Sequence, residues 1–115
     1  MAVKIYGIPN CDTIKKARIW LEKQGVDHTF HDYKKSGITE DKLTEWAMEV
    51  GIDSLLNKRG TTFRQLPDVV KDNVNDDTAI RLMIENPSMI KRPVLEHDGG
   101  VIVGYKSSEY DAALK

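Results

Sequence analysis

Residues 2–33 read AVKIYGIPNCDTIKKARIWLEKQGVDHTFHDY and decide the fold. The stretch opens with a short β-prone run, and a loop containing Gly and Pro ends that run. Apolar residues then recur at helical spacing, at Ile14, Ala17 and Leu21, until Gly25 ends the helix. The remainder is β-prone again. The stretch therefore predicts β–α–β, with a crossover long enough for the two strands to be parallel.

Cys11 lies where the first loop enters the predicted helix. The unpaired N–H groups and the positive end of the dipole at a helix start stabilise a thiolate, the reactive form of cysteine. Lys15 and Lys16 add positive potential, whereas Asp12 opposes it. We therefore expect Cys11 to deprotonate more readily than a free cysteine and to act as a nucleophile. The alternative is an inert, small core residue.

Residues 38–88 predict a helical insertion. One helix begins at Thr39, a residue type that caps helices, and ends at Gly51. A second begins near Asn75 and ends before Pro87. The chain between these helices, residues 52–75, is polar and mixed.

The last third of the chain returns to β structure. Two β-prone runs, Val94–Glu96 and Val101–Val103, flank a Gly-containing turn and predict an antiparallel hairpin. Residues 107–114 predict a closing helix. We expect an α/β fold: a thioredoxin-like four-stranded mixed sheet with a helical insertion between its βαβ and ββα halves. Residues 1–115 are predicted to form a single domain.

Composition excludes several classes of protein and site. The chain has 115 residues, 17 Lys and Arg against 18 Asp and Glu, and one cysteine. No global basic field favours nucleic acid. No run approaches the roughly 20 apolar residues of a membrane span, and the N-terminus carries no signal-peptide pattern. One cysteine excludes an internal disulfide and a Cys₄ metal site. We expect a cytoplasmic protein, a monomer, without bound metal or cofactor.

Two basic segments are further candidates for anion binding. The Arg92–Pro93 pair directly precedes a predicted strand, and the segment Asn57–Arg64 is basic and rich in hydroxyl groups. Each segment is alternatively a solvated loop. The latter lacks the spacing of a nucleotide-binding P-loop. The three histidines show no metal-ligand spacing.

Four segments together resemble the ArsC/Spx family of arsenate-reductase-related proteins, most closely its YffB-type branch. They are residues 6–13, 55–64, 87–95 and 106–109, so the resemblance spans almost the whole chain. It implies a thioredoxin-like fold with a helical insertion, a redox-active Cys11 and a cis Pro93. In the arsenate reductases of this family, glutathione and a glutaredoxin reduce the oxidised enzyme.

The positions of the family's functional residues differ in this chain. Those reductases bind the oxyanion with three arginines. By position the first falls on Asn57, with Arg59 two residues later, the second on Arg92 and the third on Lys106. The histidine that they carry before the cysteine loop falls on Gly7. Ile14 stands where Spx-type regulators typically carry the second cysteine of a CxxC switch.

The leading hypothesis is a glutathione-dependent thiol–disulfide reductase with one nucleophilic cysteine and glutathione as co-substrate. Arg92, Lys106 and Arg59 would hold the glutathione carboxylates, while Asn10 and Thr13 would donate hydrogen bonds near the sulfur. Two alternatives stay open. One is an arsenate reductase that uses glutathione and glutaredoxin. The other is a regulator that binds RNA polymerase, as Spx-type members do.

Overall fold

The computed structural model describes residues 3–9 and 11–114. The helices and strands are, in order, β1 (Val3–Gly7), α1 (Asp12–Lys23), β2 (His28–Asp32), α2 (Tyr33–Ser36), α3 (Glu40–Val50), α4 (Ile52–Leu55), α5 (Thr61–Arg64), α6 (Asp68–Lys71), α7 (Asp76–Glu85), a 3-10 turn (Pro87–Met89), β3 (Val94–His97), β4 (Gly100–Val103) and α8 (Ser107–Leu114). Contacts divide them into two compact units. The sheet unit comprises the described residues up to Ser36 and from Arg92 onward, and the helical unit is Gly37–Lys91.

The sheet unit contains four strands in the order β2-β1-β3-β4. β1 pairs with β2 in parallel, with Ile5 opposite Phe30, and with β3 antiparallel, with Ile5 opposite Leu95. β3 and β4 form the antiparallel hairpin, with Leu95 opposite Ile102. The predicted mixed sheet, the parallel β1–β2 pair and the antiparallel β3–β4 pair are confirmed, whereas the β1–β3 pair is a finding that the sequence did not predict.

One face of this sheet carries the core of the unit. Alternate residues of β1 point to it, and the helical repeat of α1 brings its apolar stripe onto the same cluster. Phe30 and Ile102, from the outer strands, pack against this cluster. The buried members are Val3, Ile5, Ala17, Leu21, Leu95 and Tyr110. The stripe that predicted α1 is thus the surface that fixes the helix on the sheet.

The other face carries an aromatic and polar cluster. The Tyr6 hydroxyl donates a hydrogen bond to Glu96 Oε1 at 2.6 Å, and the Tyr6 and His31 rings lie 4.8 Å apart. Tyr33 joins them, and its buried hydroxyl has no hydrogen-bond partner among the described residues. Burial, with smaller contributions from Tyr6 and Glu96, raises the pKa of Tyr33. This hydroxyl therefore stays protonated.

The helical unit has two longer helices with capped starts. Thr39 accepts a hydrogen bond from the Lys42 N–H at 3.2 Å, and Asn75 accepts one from the Thr78 N–H at 2.9 Å. Its fully buried side chains include Leu43, Trp46, Leu55, Ala79, Met83 and Ile90. This unit, Gly37–Lys91, overlaps the segment of about 38–88 that the sequence predicts as an insertion. That the chain is a single domain stays a prediction.

The structure differs from the sequence-based expectation in short elements. The segment 52–75 contains three single-turn helices, α4 to α6, which are too short to show a helical period in sequence. The second strand is predicted at 26–33 but covers only His28–Asp32. Asp32 Oδ1 accepts a hydrogen bond from the Lys34 N–H at 2.8 Å, which turns the chain into α2 instead.

Candidate active site at one end of the sheet

Several predicted site residues lie at one end of the sheet. Strands β1, β2 and β4 finish there and β3 begins there, because Gly7 is opposite Asp32 and Val94 is opposite both Tyr6 and Val103. We call this end of the sheet, together with the loops that follow Gly7 and Val103 and precede Val94, the thiol end. The loops that lead to Cys11, Pro93 and Lys106 all belong to it.

Cys11 is the N-cap residue of α1. Its backbone is extended, with φ −99° and ψ 122°, and its carbonyl accepts a hydrogen bond from the Lys15 N–H at 3.0 Å. The Cys11 side chain makes no capping hydrogen bond, and the residue is partly exposed. The first N–H groups of a helix have no partner within it. The sulfur thus belongs to a residue placed where backbone donors and the helix dipole favour a negative charge.

The neighbours of Cys11 were also predicted to contribute. Thr13 and Lys15 occupy the first turn of α1, and both are exposed to solvent. Asn10 lies outside the described residues. The predicted polar contacts of Asn10 and Thr13 with a substrate stay predictions.

The Arg92–Pro93 peptide bond is cis, as the family resemblance implies. Pro93 is buried, and its carbonyl accepts a hydrogen bond from the Gly104 N–H at 2.8 Å. This bond extends the β3–β4 pairing by one residue pair. Arg92 is partly exposed and makes no ion pair within the described part of the sheet unit. Its guanidinium is therefore available there to an anion.

Lys106 directly precedes α8 and is exposed. Its carbonyl accepts hydrogen bonds from the N–H groups of Glu109 at 3.0 Å and Tyr110 at 3.1 Å. These bonds fix the backbone of Lys106 at the start of the helix. The side chain carries its charge into solvent at the thiol end.

Asn57 and Arg59 belong to the helical unit. The Asn57 N–H donates to the Met89 carbonyl at 2.7 Å, and Asn57 Oδ1 accepts from the Arg59 N–H at 3.2 Å. Asn57 thereby shapes the turn that leads to α5. Cys11, Thr13, Lys15, Arg92, Pro93 and Lys106 all belong to the sheet unit, and their joint action on a substrate stays a prediction. The structure places Asn57 and Arg59 in the other unit, so the predicted role of that pair stays a prediction.

Gly7 has no room for a side chain. A Cβ built on it would overlap the Cδ1 atom of Ile14, which is only 3% exposed. Ile14 therefore fills the space in which a histidine at position 7 would begin. The position lacks the histidine of the arsenate reductases, and the buried Ile14 side chain would have to move to admit one.

Sequence reasoning did not identify Tyr110 or Gly104. Tyr110 is fully buried, and its hydroxyl donates a hydrogen bond to the Gly104 carbonyl at 3.1 Å. The only signal in the sequence is an aromatic residue three and four positions before Ala113 and Leu114, the spacing of an inward helix face. That signal predicts burial, but it does not predict the hydrogen bond.

Among the residues that the structure describes, neither a metal-binding cluster nor a membrane-spanning helix is found. Within residues 3–9 and 11–114, no three His, Cys, Asp or Glu side chains are grouped to hold a metal ion. No helix of that same part of the chain is long and apolar enough to cross a lipid bilayer.

Known proteins are similar to this chain over almost its whole length. The model of the ArsC family matches residues 6–113. The chain belongs to the ArsC family. Among curated relatives of this ArsC-family protein, the global transcriptional regulator Spx of Streptococcus pyogenes serotype M3 is 29% identical over 114 residues, with 97% of this chain and 84% of the relative covered.

Two solved structures are more similar in sequence. The YffB protein matches with a TM-score of 0.95 at 49% identity, with 98% of this chain and 99% of that chain covered. An arsenate reductase (ArsC) related protein from Brucella melitensis matches with a TM-score of 0.78 at 55% identity, with 100% and 96% covered. The predicted resemblance to the ArsC/Spx family, including its YffB-type members, is confirmed, as is the predicted fold.

Proposed function

We propose that this protein is a glutathione-dependent thiol–disulfide reductase with Cys11 as its single nucleophile. The observation that carries the proposal is that Cys11 begins α1 without using its side chain as a cap. A capping side chain would occupy the first N–H groups of the helix. Here these donors are left to a thiolate, or to the charge that develops on sulfur during exchange.

The reaction needs one protein thiol and two molecules that carry glutathione. The Cys11 thiolate attacks the glutathione sulfur of a mixed disulfide, the S–S bond breaks, and the other sulfur leaves as a thiolate and takes a proton from water. The thiolate of a free glutathione then attacks the sulfur of the glutathione bound to Cys11. Oxidised glutathione leaves and the Cys11 thiolate is restored. Two electrons pass from glutathione to the substrate disulfide.

Cationic side chains at the thiol end suit this substrate. Arg92 and Lys106 lie there, Lys15 occupies the first turn of α1, and glutathione carries two carboxylates and one ammonium group. Arginine binds a carboxylate through two parallel hydrogen bonds, whereas lysine acts as a point charge. We expect Arg92 and Lys106 to orient the glutathione part of the disulfide and to leave the chemistry to Cys11.

Arsenate is the weaker substrate for this site. Only one of the family's three oxyanion-binding arginines stands in its own position, at Arg92. Gly7 replaces the family's histidine, and Ile14 blocks that space. A tetrahedral oxyanion therefore meets fewer fixed donors here than the three arginines supply in the arsenate reductases of this family. Arsenate nevertheless forms a separate arm of the test.

A second candidate is a regulator that acts by binding RNA polymerase. The observation that favours it is the similarity to Spx over 97% of this chain. In that case Cys11 would be a sensor or would be dispensable. The Cys11→Ser variant would then bind polymerase as the unmodified chain does.

The test couples glutathione oxidation to NADPH through glutathione reductase. A glutathione mixed disulfide and arsenate are offered separately to the wild type, Cys11→Ser and Lys106→Met, with Lys23→Met as the matched control. Lys23 is exposed in the last turn of α1, away from the thiol end. We expect disulfide turnover that disappears in Cys11→Ser, a higher KM in Lys106→Met and no change in Lys23→Met. Turnover that survives Cys11→Ser, or none in the wild type, contradicts the proposal.

A further inference from the structure

A hydrogen-bonded chain joins α8 to the loop that contains Pro93. The Tyr110 hydroxyl donates to the Gly104 carbonyl at 3.1 Å, and the Gly104 N–H donates to the Pro93 carbonyl at 2.8 Å. The N–H and the carbonyl of Gly104 are thus both hydrogen-bonded. One buried side chain thereby connects two loops of the thiol end.

The ring of Tyr110 is fixed from several sides. It meets Trp20 of α1 edge-on at 5.7 Å and Tyr105 edge-on at 5.1 Å, and it packs in the core with Ala17 and Leu21. A ring confined in this way has one position for its hydroxyl. Burial, with smaller contributions from Tyr105 and Glu109, raises the pKa of Tyr110, so the hydroxyl remains a donor at any working pH.

The segment that Tyr110 holds is the one that carries Lys106. Gly104 has φ 88°, a left-handed conformation that glycine adopts at low cost and that leaves the chain free in other conformations when nothing holds it. From there the chain reaches Lys106, whose carbonyl accepts the first backbone hydrogen bonds of α8. The hydroxyl of Tyr110 and the start of α8 together fix these three residues.

We propose that Tyr110 is a positioning residue, whose hydroxyl fixes the Gly104–Lys106 segment so that Lys106 is placed for the carboxylate of a glutathione-type substrate. The inference rests on the proposed function, since Lys106 matters only when an anionic thiol compound is bound. Tyr110 itself is in the core and does not touch the substrate.

The first test is kinetic and uses Tyr110→Phe, which keeps the ring and removes the hydroxyl. Tyr105→Phe is the matched control. The Tyr105 and Tyr110 rings contact each other, but the Tyr105 hydroxyl makes no hydrogen bond within the described residues. We expect KM for a glutathione mixed disulfide to rise about two- to tenfold in Tyr110→Phe, the factor of one ordinary hydrogen bond. We expect kcat and the turnover of a small uncharged disulfide to stay unchanged.

A double-substitution cycle separates positioning from general loosening. If Tyr110 acts through Lys106, Lys106→Met raises KM in the wild type but adds little in the Tyr110→Phe background. Full additivity of the two effects overturns the proposal. So does an unchanged KM in Tyr110→Phe while the wild type turns over, and that result leaves the proposed reductase intact.

The second test does not depend on activity. Amide hydrogen exchange at Gly104 reports the bond to the Pro93 carbonyl directly. We expect faster exchange at Gly104 in Tyr110→Phe than in the wild type and in Tyr105→Phe, at equal global stability. Equal protection of Gly104 in all three proteins would show that the Tyr110 hydroxyl does not fix this segment, and it overturns the proposal. Absence of any wild-type turnover instead overturns the proposed function, and with it the role of Lys106 toward substrate.

Discussion

The two units begin their longer helices in different ways. In the helical unit, α3 and α7 start at Thr39 and Asn75, and both side chains accept a hydrogen bond from the first turn. In the sheet unit, α1 starts at Cys11, whose side chain makes no such bond. A cap stabilises a helix by about 1 kcal/mol. The sheet unit forgoes this stabilisation at the helix start that carries the thiol, which is what a site that keeps its N–H donors for substrate requires.

The two units also differ in whether they contain a buried polar group without a partner and a crowded buried glycine. Of the residues described, the buried hydroxyl without a hydrogen-bond partner is that of Tyr33, in the sheet unit. The glycine with no space for a Cβ in the buried core is Gly7, in the same unit. Gly7 lies at the thiol end, and Tyr33 directly follows Asp32, the β2 residue opposite Gly7. The helical unit follows ordinary capping and packing, so it is the natural control for each substitution below.

The largest expected effect is that of Gly7→Ala. The added methyl group overlaps Ile14 in the core, so we expect the free energy of unfolding to fall by about 1–3 kcal/mol. In Gly60→Ala the nearest atom is the end of the Asn57 side chain at 2.9 Å, which can move, so we expect a change below about 0.5 kcal/mol. Urea denaturation measures both.

Ile14→Val should restore part of the stability that Gly7→Ala loses. It removes the Cδ1 atom that the new methyl group meets, so the Gly7→Ala/Ile14→Val protein should be more stable than the sum of the single changes predicts. Equal losses in the two glycine variants, or strict additivity with Ile14→Val, would show that crowding at Gly7 is not the cause.

The next effect is that of Tyr33→Phe. Removing a buried hydroxyl without a partner should raise the free energy of unfolding by about 1 kcal/mol at neutral pH. The raised pKa of Tyr33 also sets a pH dependence. Tyrosine ionises near pH 10 in the unfolded chain, while the buried Tyr33 keeps its proton. The free energy of unfolding of the wild type is therefore unaffected by this group below about pH 10 and falls above it.

Denaturation at a series of alkaline pH values checks this expectation. The decline above about pH 10 should be shallower in Tyr33→Phe than in the wild type, and the raised pKa of Tyr110 accounts for part of what remains. A Tyr33→Phe protein that is less stable at neutral pH would mean that the hydroxyl makes a stabilising bond.

The smallest effects come from the two helix starts themselves. Asn75→Ala removes the bond to the Thr78 N–H and should lower the free energy of unfolding by about 1 kcal/mol. Cys11→Ser supplies a capping oxygen where none acts, so we expect stability to rise by about 0.5 kcal/mol. Thermal unfolding of both variants tests the comparison, and a Cys11→Ser protein less stable than the wild type would count against an uncapped α1.

The sequence predicts the sheet unit well because its periodicities are long and distinct. The stripe Ile14, Ala17 and Leu21 predicts α1, and the short β-prone runs predict the four strands, with the first two parallel and the last two antiparallel. Family motifs predict Cys11, Pro93 and Lys106 as site residues, and the structure locates all three in loops at one end of the sheet. That they act together on a substrate stays a prediction.

Two kinds of feature could not be predicted. The helices α4 to α6 have one turn each, and a period cannot be recognised over four residues. The bond from Tyr110 to Gly104 and the unpartnered hydroxyl of Tyr33 depend on tertiary packing, which places side chains from separate elements next to each other.

The most direct test of the central claim is the rate at which Cys11 reacts with oxidised glutathione. Intact mass measured over time at about pH 6.5 compares the folded wild type, the same chain unfolded in urea, and folded Cys11→Ser. A helix start activates the thiol only while the helix exists, so we predict one glutathione adduct per chain that forms faster in the folded protein than in the unfolded one. Cys11→Ser should gain none. A folded chain that reacts no faster than the unfolded chain would contradict the account.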